Sequence, residues 1–144
     1  MISLFKSRIQ MSATQTTTSL SIPFNTETTV LTLAVPTTIP QQPKKIDGIV
    51  AVEANIPLGL TSYEYGVTMR LYRNGQQLMS QNLRQGAAAV LTLGFIQNNT
   101  IPFSWVDQNA VQGTNTYTVT LQFFTRSTSG VTIQTNTRSL NVIS

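Results

Sequence analysis

Tyr63-Glu64-Tyr65-Gly66-Val67-Thr68-Met69-Arg70-Leu71-Tyr72-Arg73, followed by Asn74-Gly75 and then residues 76–83, decides how the rest of the chain is read. Tyr63, Tyr65, Val67, Met69 and Leu71 fall on one side of a period-two repeat, and Glu64, Thr68, Arg70 and Tyr72 on the other. Side chains along a strand alternate between faces, so this pattern describes a strand with one face in a core and one in water. Asn-Gly between two such runs predicts a two-residue hairpin, because a type I′ turn needs positive φ at both central positions.

The same signal recurs on both sides. Residues 16–22 are Thr-rich and read as a strand or an extended arm. Residues 28–35 alternate, with Leu31, Leu33 and Val35 on one face, and Pro36 and Pro40 are expected to end that strand. Residues 45–56 place Val50, Val52, Ala54 and Ile56 inward and Asp47, Glu53 and Asn55 outward. Residues 88–96 read as a further strand and Asn98-Asn99 as a turn. Residues 100–106 read as a short strand whose Pro102 predicts an edge or a bend. Residues 116–124 turn Tyr117, Val119, Leu121 and Phe123 inward. In the last strand, 131–143, the apolar phase shifts between Ile133 and Leu140, which predicts a bulge. The fold class is therefore all-β: an eight- to nine-stranded antiparallel β-sandwich, with a jelly roll preferred. Residues 28–144 form the single sandwich domain, and residues 1–27 form an N-terminal arm.

Composition narrows the chemistry. The 144 residues suit one domain. Charged residues are 10%, against about 25% in ordinary domains, and Thr, Ser, Asn and Gln take their place. Net charge is +4, with the bases scattered apart from Lys6 and Arg8, so no nucleic-acid tract is present. Cysteine and histidine are both missing. That excludes disulfides, Cys/His zinc sites and Ser-His or Cys-His nucleophile pairs. Five carboxylates, Glu27, Asp47, Glu53, Glu64 and Asp107, are dispersed, and no pair has a spacing that points to glycoside hydrolysis or to a calcium site. No stretch approaches a membrane span, and no secretory signal is visible. No enzyme activity and no cofactor are expected.

Two surfaces remain as candidates. Ile2, Leu4, Phe5 and Ile9, with Leu20 and Ile22 further on, put apolar side chains on an arm that would be poorly solvated alone. They are the expected assembly interface with other copies of the chain, and Met11 is a second candidate start. Trp105 beside Asp107, with Tyr72 on a polar strand face, is the candidate ligand contact, where an aromatic ring stacks on a sugar and a carboxylate bonds it. The plainer reading has Trp105 filling the sandwich edge, Asp107 capping a turn and Gly113 supplying a special backbone angle. Asn98-Asn99-Thr100 also matches an N-glycosylation sequence.

Leu71-Tyr-Arg-Asn-Gly75, Ile101-Pro-Phe-Ser-Trp-Val-Asp107, Gly113-Thr-Asn-Thr-Tyr-Thr-Val119 and Arg138-Ser-Leu-Asn-Val-Ile143 resemble segments of small jelly-roll proteins of bacterial spore surfaces and phage virions. The architecture is similar to tumour-necrosis-factor-like trimers and to endospore-appendage pilins. The resemblance covers residues 28–144. It implies a structural subunit, extracellular on a spore or virion surface, that self-assembles into a fibre or particle by inserting an arm into the next copy as a donor strand. Those pilins use cysteine cross-links, and this chain has none. The alternative is a trimeric carbohydrate- or receptor-binding module, with a glycan as partner. Deleting residues 1–22 is expected to abolish assembly and leave the sandwich folded.

Overall fold

A computed structural model describes residues 9–88 and 93–144. These described residues form nine strands: β1 (Met11–Thr16), β2 (Leu20–Ile22), β3 (Glu27–Thr37), β4 (Lys44–Ile56), β5 (Ser62–Arg73), β6 (Gln76–Ala88), β7 (Phe95–Asp107), β8 (Gly113–Arg126) and β9 (Thr132–Ile143). They form two antiparallel sheets. One runs β1-β9-β4-β7, with β2 also paired to β9, and the other runs β3-β8-β5-β6. Strands distant in sequence lie side by side in both sheets, which is the strand order of a jelly roll.

β5 and β6 form the expected hairpin, with Asn74 at φ 49° and Gly75 at φ 81°. The inward residues of β4, β5 and β8 are those the alternation selects: Val50, Ile56, Tyr65, Leu71, Tyr117 and Phe123 are all buried. Gly48 lets the Phe103 ring cross β4 at a point where a Cβ would overlap both that ring and the Ser139 carbonyl.

The bulge in β9 is present. Val50 pairs with Arg138 and Val52 with Thr135, so Asn136 and Thr137 together face Ala51. The bulge has a counterpart across the sheet. β1 pairs with β9 from Met11↔Ile143 to Thr16↔Arg138, and β2 resumes at Leu20↔Thr135. β1 and β2 are thus two halves of one interrupted first strand, broken opposite the bulge. Residues 11–22 form the edge of the sandwich, so the arm boundary read at residue 27 does not coincide with an edge of the folded unit.

Three strand limits differ from the sequence reading. β3 continues through Pro36, which pairs with Thr114. β3 is an edge strand, and there a missing N–H costs the sheet no ladder bond. β7 passes straight through Asn98-Asn99, where a turn was expected. Asn99 spends its side chain across the sandwich instead, donating to the Tyr65 hydroxyl at 3.0 Å and accepting from Gln85 at 3.3 Å. The strand expected over 88–96 is divided: β6 ends at Ala88, β7 begins at Phe95, and residues 89–92 lie outside the described residues. Pro102 sits on β7, an edge strand, as expected.

Candidate functional site

The N-terminal segment is held in two ways. Backbone pairing to β9 runs the length of β1 and extends one step further, with Gln10 N–H donating to Ser144 O at 3.1 Å and Ser144 N–H to Gln10 O at 2.9 Å. Side chains add little. Ile22 is buried in the core and Leu20 packs partly against it, but Met11 is 68% exposed and Ile9 79%. Phe24, just beyond β2, is fixed by an edge contact with Phe123 and by the Arg126 guanidinium 4.2 Å from its ring centroid. Ile2, Leu4 and Phe5 lie outside the described residues.

Arg138 joins this segment to both sheets. Its position in the phase set by Leu140 and Val142 turns it inward, where it is buried. Among the described residues no carboxylate pairs with it. Nε donates to Val30 O at 2.8 Å on β3, and Nη1 donates to Thr18 O and Asn136 O, each at 2.7 Å. The guanidinium therefore bonds the β1–β2 break, the β9 bulge and the neighbouring sheet at once. Burial holds its pKa below the ordinary arginine value. The sequence signal was available, because counting back by twos from Leu140 puts Arg138 inside.

At one end of the sandwich lies a second polar centre. Asp107 is 1% exposed and forms an ion pair with Arg73, accepts from the Tyr117 hydroxyl at 2.7 Å, and accepts the Asn109 N–H at 3.1 Å. Beside it Asn115 uses its whole amide. Nδ2 donates to Thr37 Oγ1 and Val111 O, and Oδ1 accepts from Val111 N–H and Asn74 Nδ2. Lys44, opposite Asp107 in the β4–β7 register, is buried with Nζ 3.2 Å from Ser144 Oγ, and burial lowers its pKa while Asp107 opposes the shift. No side-chain polar atom in the described interior lacks a partner. This arrangement staples strand ends together.

The three candidate ligand contacts are not brought to one surface. Asp107 points inward. Trp105 is 42% exposed at the rim of β7. Tyr72 lies on the outer face of the opposite sheet, donating to Glu27, whose carboxylate also accepts from Thr120 and faces Arg70. The Tyr72 hydroxyl, and then Thr120 and Arg70, draw the Glu27 pKa below its usual value against the opposing effect of burial. Among the described residues no cluster of three His, Cys, Asp or Glu side chains could hold a metal, and no helix is long and apolar enough to cross a membrane.

No protein-family model and no characterised protein matches the chain in sequence. Solved structures match in fold. A chain of infectious bursal disease virus, Gx strain, superposes with a TM-score of 0.53 at 14% identity, over 96% of this chain and 32% of the viral one. The Gt strain gives 0.50 at 13% identity, over 96% and 33%. Dimeric latent PorU of Porphyromonas gingivalis gives 0.52 at 11% identity, over 94% of this chain and 13% of PorU. This chain thus spans at most a third of the length of each of these, and at such identities the likeness shows a shared β-sandwich fold.

Proposed function

We propose that this chain is a non-enzymatic structural subunit that assembles with copies of itself into a surface particle or fibre, joined through its N-terminal segment. One observation carries the reading: the first strand of the jelly roll is an edge strand bound almost wholly through its backbone, with Ile22 its one deeply buried side chain. A second copy could accept β1 on its own β9 in the same Met11↔Ile143 to Thr16↔Arg138 register. Exchange of an identical element between protomers conserves contacts, so it is a low-cost route to association. The occurrence of the same fold in a virus structure supports a particle setting, and a virion or other exterior surface as its place.

The test is removal of residues 1–16. The cut falls before Thr18 and Ile22, because the first supplies a carbonyl to Arg138 and the second belongs to the core. The full chain is expected to form filaments or particles by electron microscopy and mass photometry, and the shortened chain to stay folded and lose them. Assembly unchanged by that deletion removes the segment from the mechanism.

A further inference from the structure

Asn74 does more than turn the β5–β6 hairpin. It is exposed, yet its N–H and its carboxamide are both bonded to β8. The N–H donates to Thr116 O at 2.8 Å, Oδ1 accepts the Thr116 N–H at 2.7 Å, and Nδ2 donates to Asn115 Oδ1 at 3.1 Å. The last bond explains why the position holds asparagine and not aspartate, which a type I′ turn also accepts. Asn115 Oδ1 accepts the Val111 N–H as well, and its Nδ2 donates to Thr37 Oγ1 and Val111 O. Asn115 therefore cannot turn its amide over without losing these partners, and a carboxylate at position 74 sets acceptor against acceptor. Asn74 is also the one asparagine in the sequence that glycine follows. Glycine has no side chain to shield its nitrogen, and nothing lies within 4 Å of a Cβ placed on Gly75. A carboxamide and an unshielded peptide nitrogen one residue apart react at high effective concentration once they are free to meet.

We propose that Asn74 is a site of spontaneous covalent modification, held back in the folded chain by its two carboxamide bonds to β8. The Gly75 nitrogen attacks Asn74 Cγ, and the new N–Cγ bond closes a succinimide ring. The Cγ–Nδ2 bond breaks, and Nδ2 leaves as ammonia with the proton from Gly75. Water then opens the ring at either carbonyl. One opening gives aspartate, and the other gives isoaspartate, in which the main chain runs through the former side chain. No oxidant, metal or cofactor enters. While the hairpin is docked, Oδ1 is fixed on Thr116 and Nδ2 on Asn115, so the carboxamide is not free to fold back onto the Gly75 nitrogen. Both bonds must break first, and the rate follows the opening of this corner. Both products change the corner once formed. Aspartate turns an oxygen toward Asn115 Oδ1 and adds a negative charge. Isoaspartate adds a carbon to the main chain of a turn whose two central φ angles, 49° and 81°, suit an ordinary Asn-Gly backbone.

The test incubates the full-length protein at mildly alkaline pH, folded and in urea, and follows each asparagine by peptide mass mapping that separates aspartate from isoaspartate. In urea, Asn74 is expected to convert ahead of every other asparagine, and Gly75→Ala to slow it by shielding the nitrogen. In the folded chain, conversion at Asn74 is expected to be slower on the order of 10-fold or more, because two hydrogen bonds must open together. Folded Asn115→Ala removes the acceptor for Nδ2 and is expected to speed conversion at Asn74 with Asn98 and Asn141 unchanged, which distinguishes local release from unfolding. If Asn115→Ala does not fold, Thr37→Val, which removes one partner of the Asn115 amide, takes its place with a smaller acceleration expected. The aspartate product, made directly as Asn74→Asp, is expected to unfold at lower urea than the wild type. Equal rates in folded and unfolded chains, or a folded Asn115 or Thr37 variant converting at the wild-type rate, overturn the gate. Asn74 left intact in urea overturns the site, and an unmoved midpoint in Asn74→Asp overturns the consequence drawn from Asn115.

Discussion

Arg73 and Asp107 form an ion pair in the interior, between the last residue of β5 and the last of β7, with side-chain exposures of 8% and 1%. The pair ties one sheet to the other at the end of the sandwich, and Arg73 also donates to Gln76 at 3.1 Å. Removing one charge of such a pair leaves the other buried without compensation, which costs about 3–5 kcal/mol. Asp107→Asn is therefore expected to lower unfolding stability by about that amount in urea titration, with association unchanged where the chain remains folded. A ligand role for Asp107 predicts the opposite: stability unmoved and binding lost.

Two glycines separate backbone conformation from close approach. Gly75 has a left-handed φ, and nothing lies within 4 Å of a Cβ placed there. Gly75→Ala meets only the left-handed penalty, about 1 kcal/mol. A Cβ on Gly48 would meet the Phe103 ring and a backbone carbonyl, so Gly48→Ala strains packed atoms, at about 3 kcal/mol. Urea midpoints for the two variants check the order. Equal losses, or a larger loss at Gly75, contradict the packing described around Phe103.

Alkaline pH acts through buried phenols. The Tyr65 hydroxyl donates to Gln97 at 2.7 Å; burial first, and then the neighbouring Tyr63, push its pKa up to about 12. Tyr117, buried and donating to Asp107, is raised as well. In the unfolded chain both phenols ionise near pH 10. The folded state therefore keeps protons that the unfolded state loses above about pH 10. The stabilisation is complete below that pH and falls as pH rises toward 12. Lys44 has the opposite sign, because its folded pKa is lowered, so stability rises through that folded pKa up to the unfolded value of about 10.4. Denaturant titrations from pH 8 to 11.5 are expected to show the decline above about pH 10, with a shallower decline in Tyr65→Phe. Identical slopes in both proteins would sink this assignment.

What the sequence disclosed follows from the reach of each signal. The hairpin at Asn74-Gly75 and the alternation of β4, β5 and β8 depend on neighbours in the chain, and they were legible. Pro36 and Asn98-Asn99 were misread because their meaning depends on tertiary position. Pro36 is harmless on an edge, and Asn99 bonds Tyr65 in the other sheet rather than its own backbone. The split first strand was hidden for the same reason, since its break at residues 17–19 answers a bulge more than a hundred residues later. Among the candidate contacts, Asp107 was seen as a turn cap, which it is through Asn109. Its pairing with Arg73 needed two strands brought together.

Arg138 supplies the last prediction, because it connects the stability of the core to the release of β1. Methionine in its place keeps much of the volume and donates nothing, so the carbonyls of Val30, Thr18 and Asn136 lose their donor together. An unsatisfied buried group costs about 1–3 kcal/mol, so Arg138→Met is expected to lose about 3–5 kcal/mol. Lysine recovers only part of this, since one ammonium cannot reproduce the planar fork that reaches three segments. The loss should also be uneven. Thr18 lies in the break between β1 and β2, so freeing its carbonyl loosens the edge strand more than the sheet behind it. Amide hydrogen exchange in Arg138→Met is expected to accelerate in residues 11–16 beyond the acceleration in β4, because local opening is cheapest where few side chains hold the strand. Acceleration confined to a uniform global change would show that Arg138 stabilises the sandwich as a whole and does not govern the departure of its first strand.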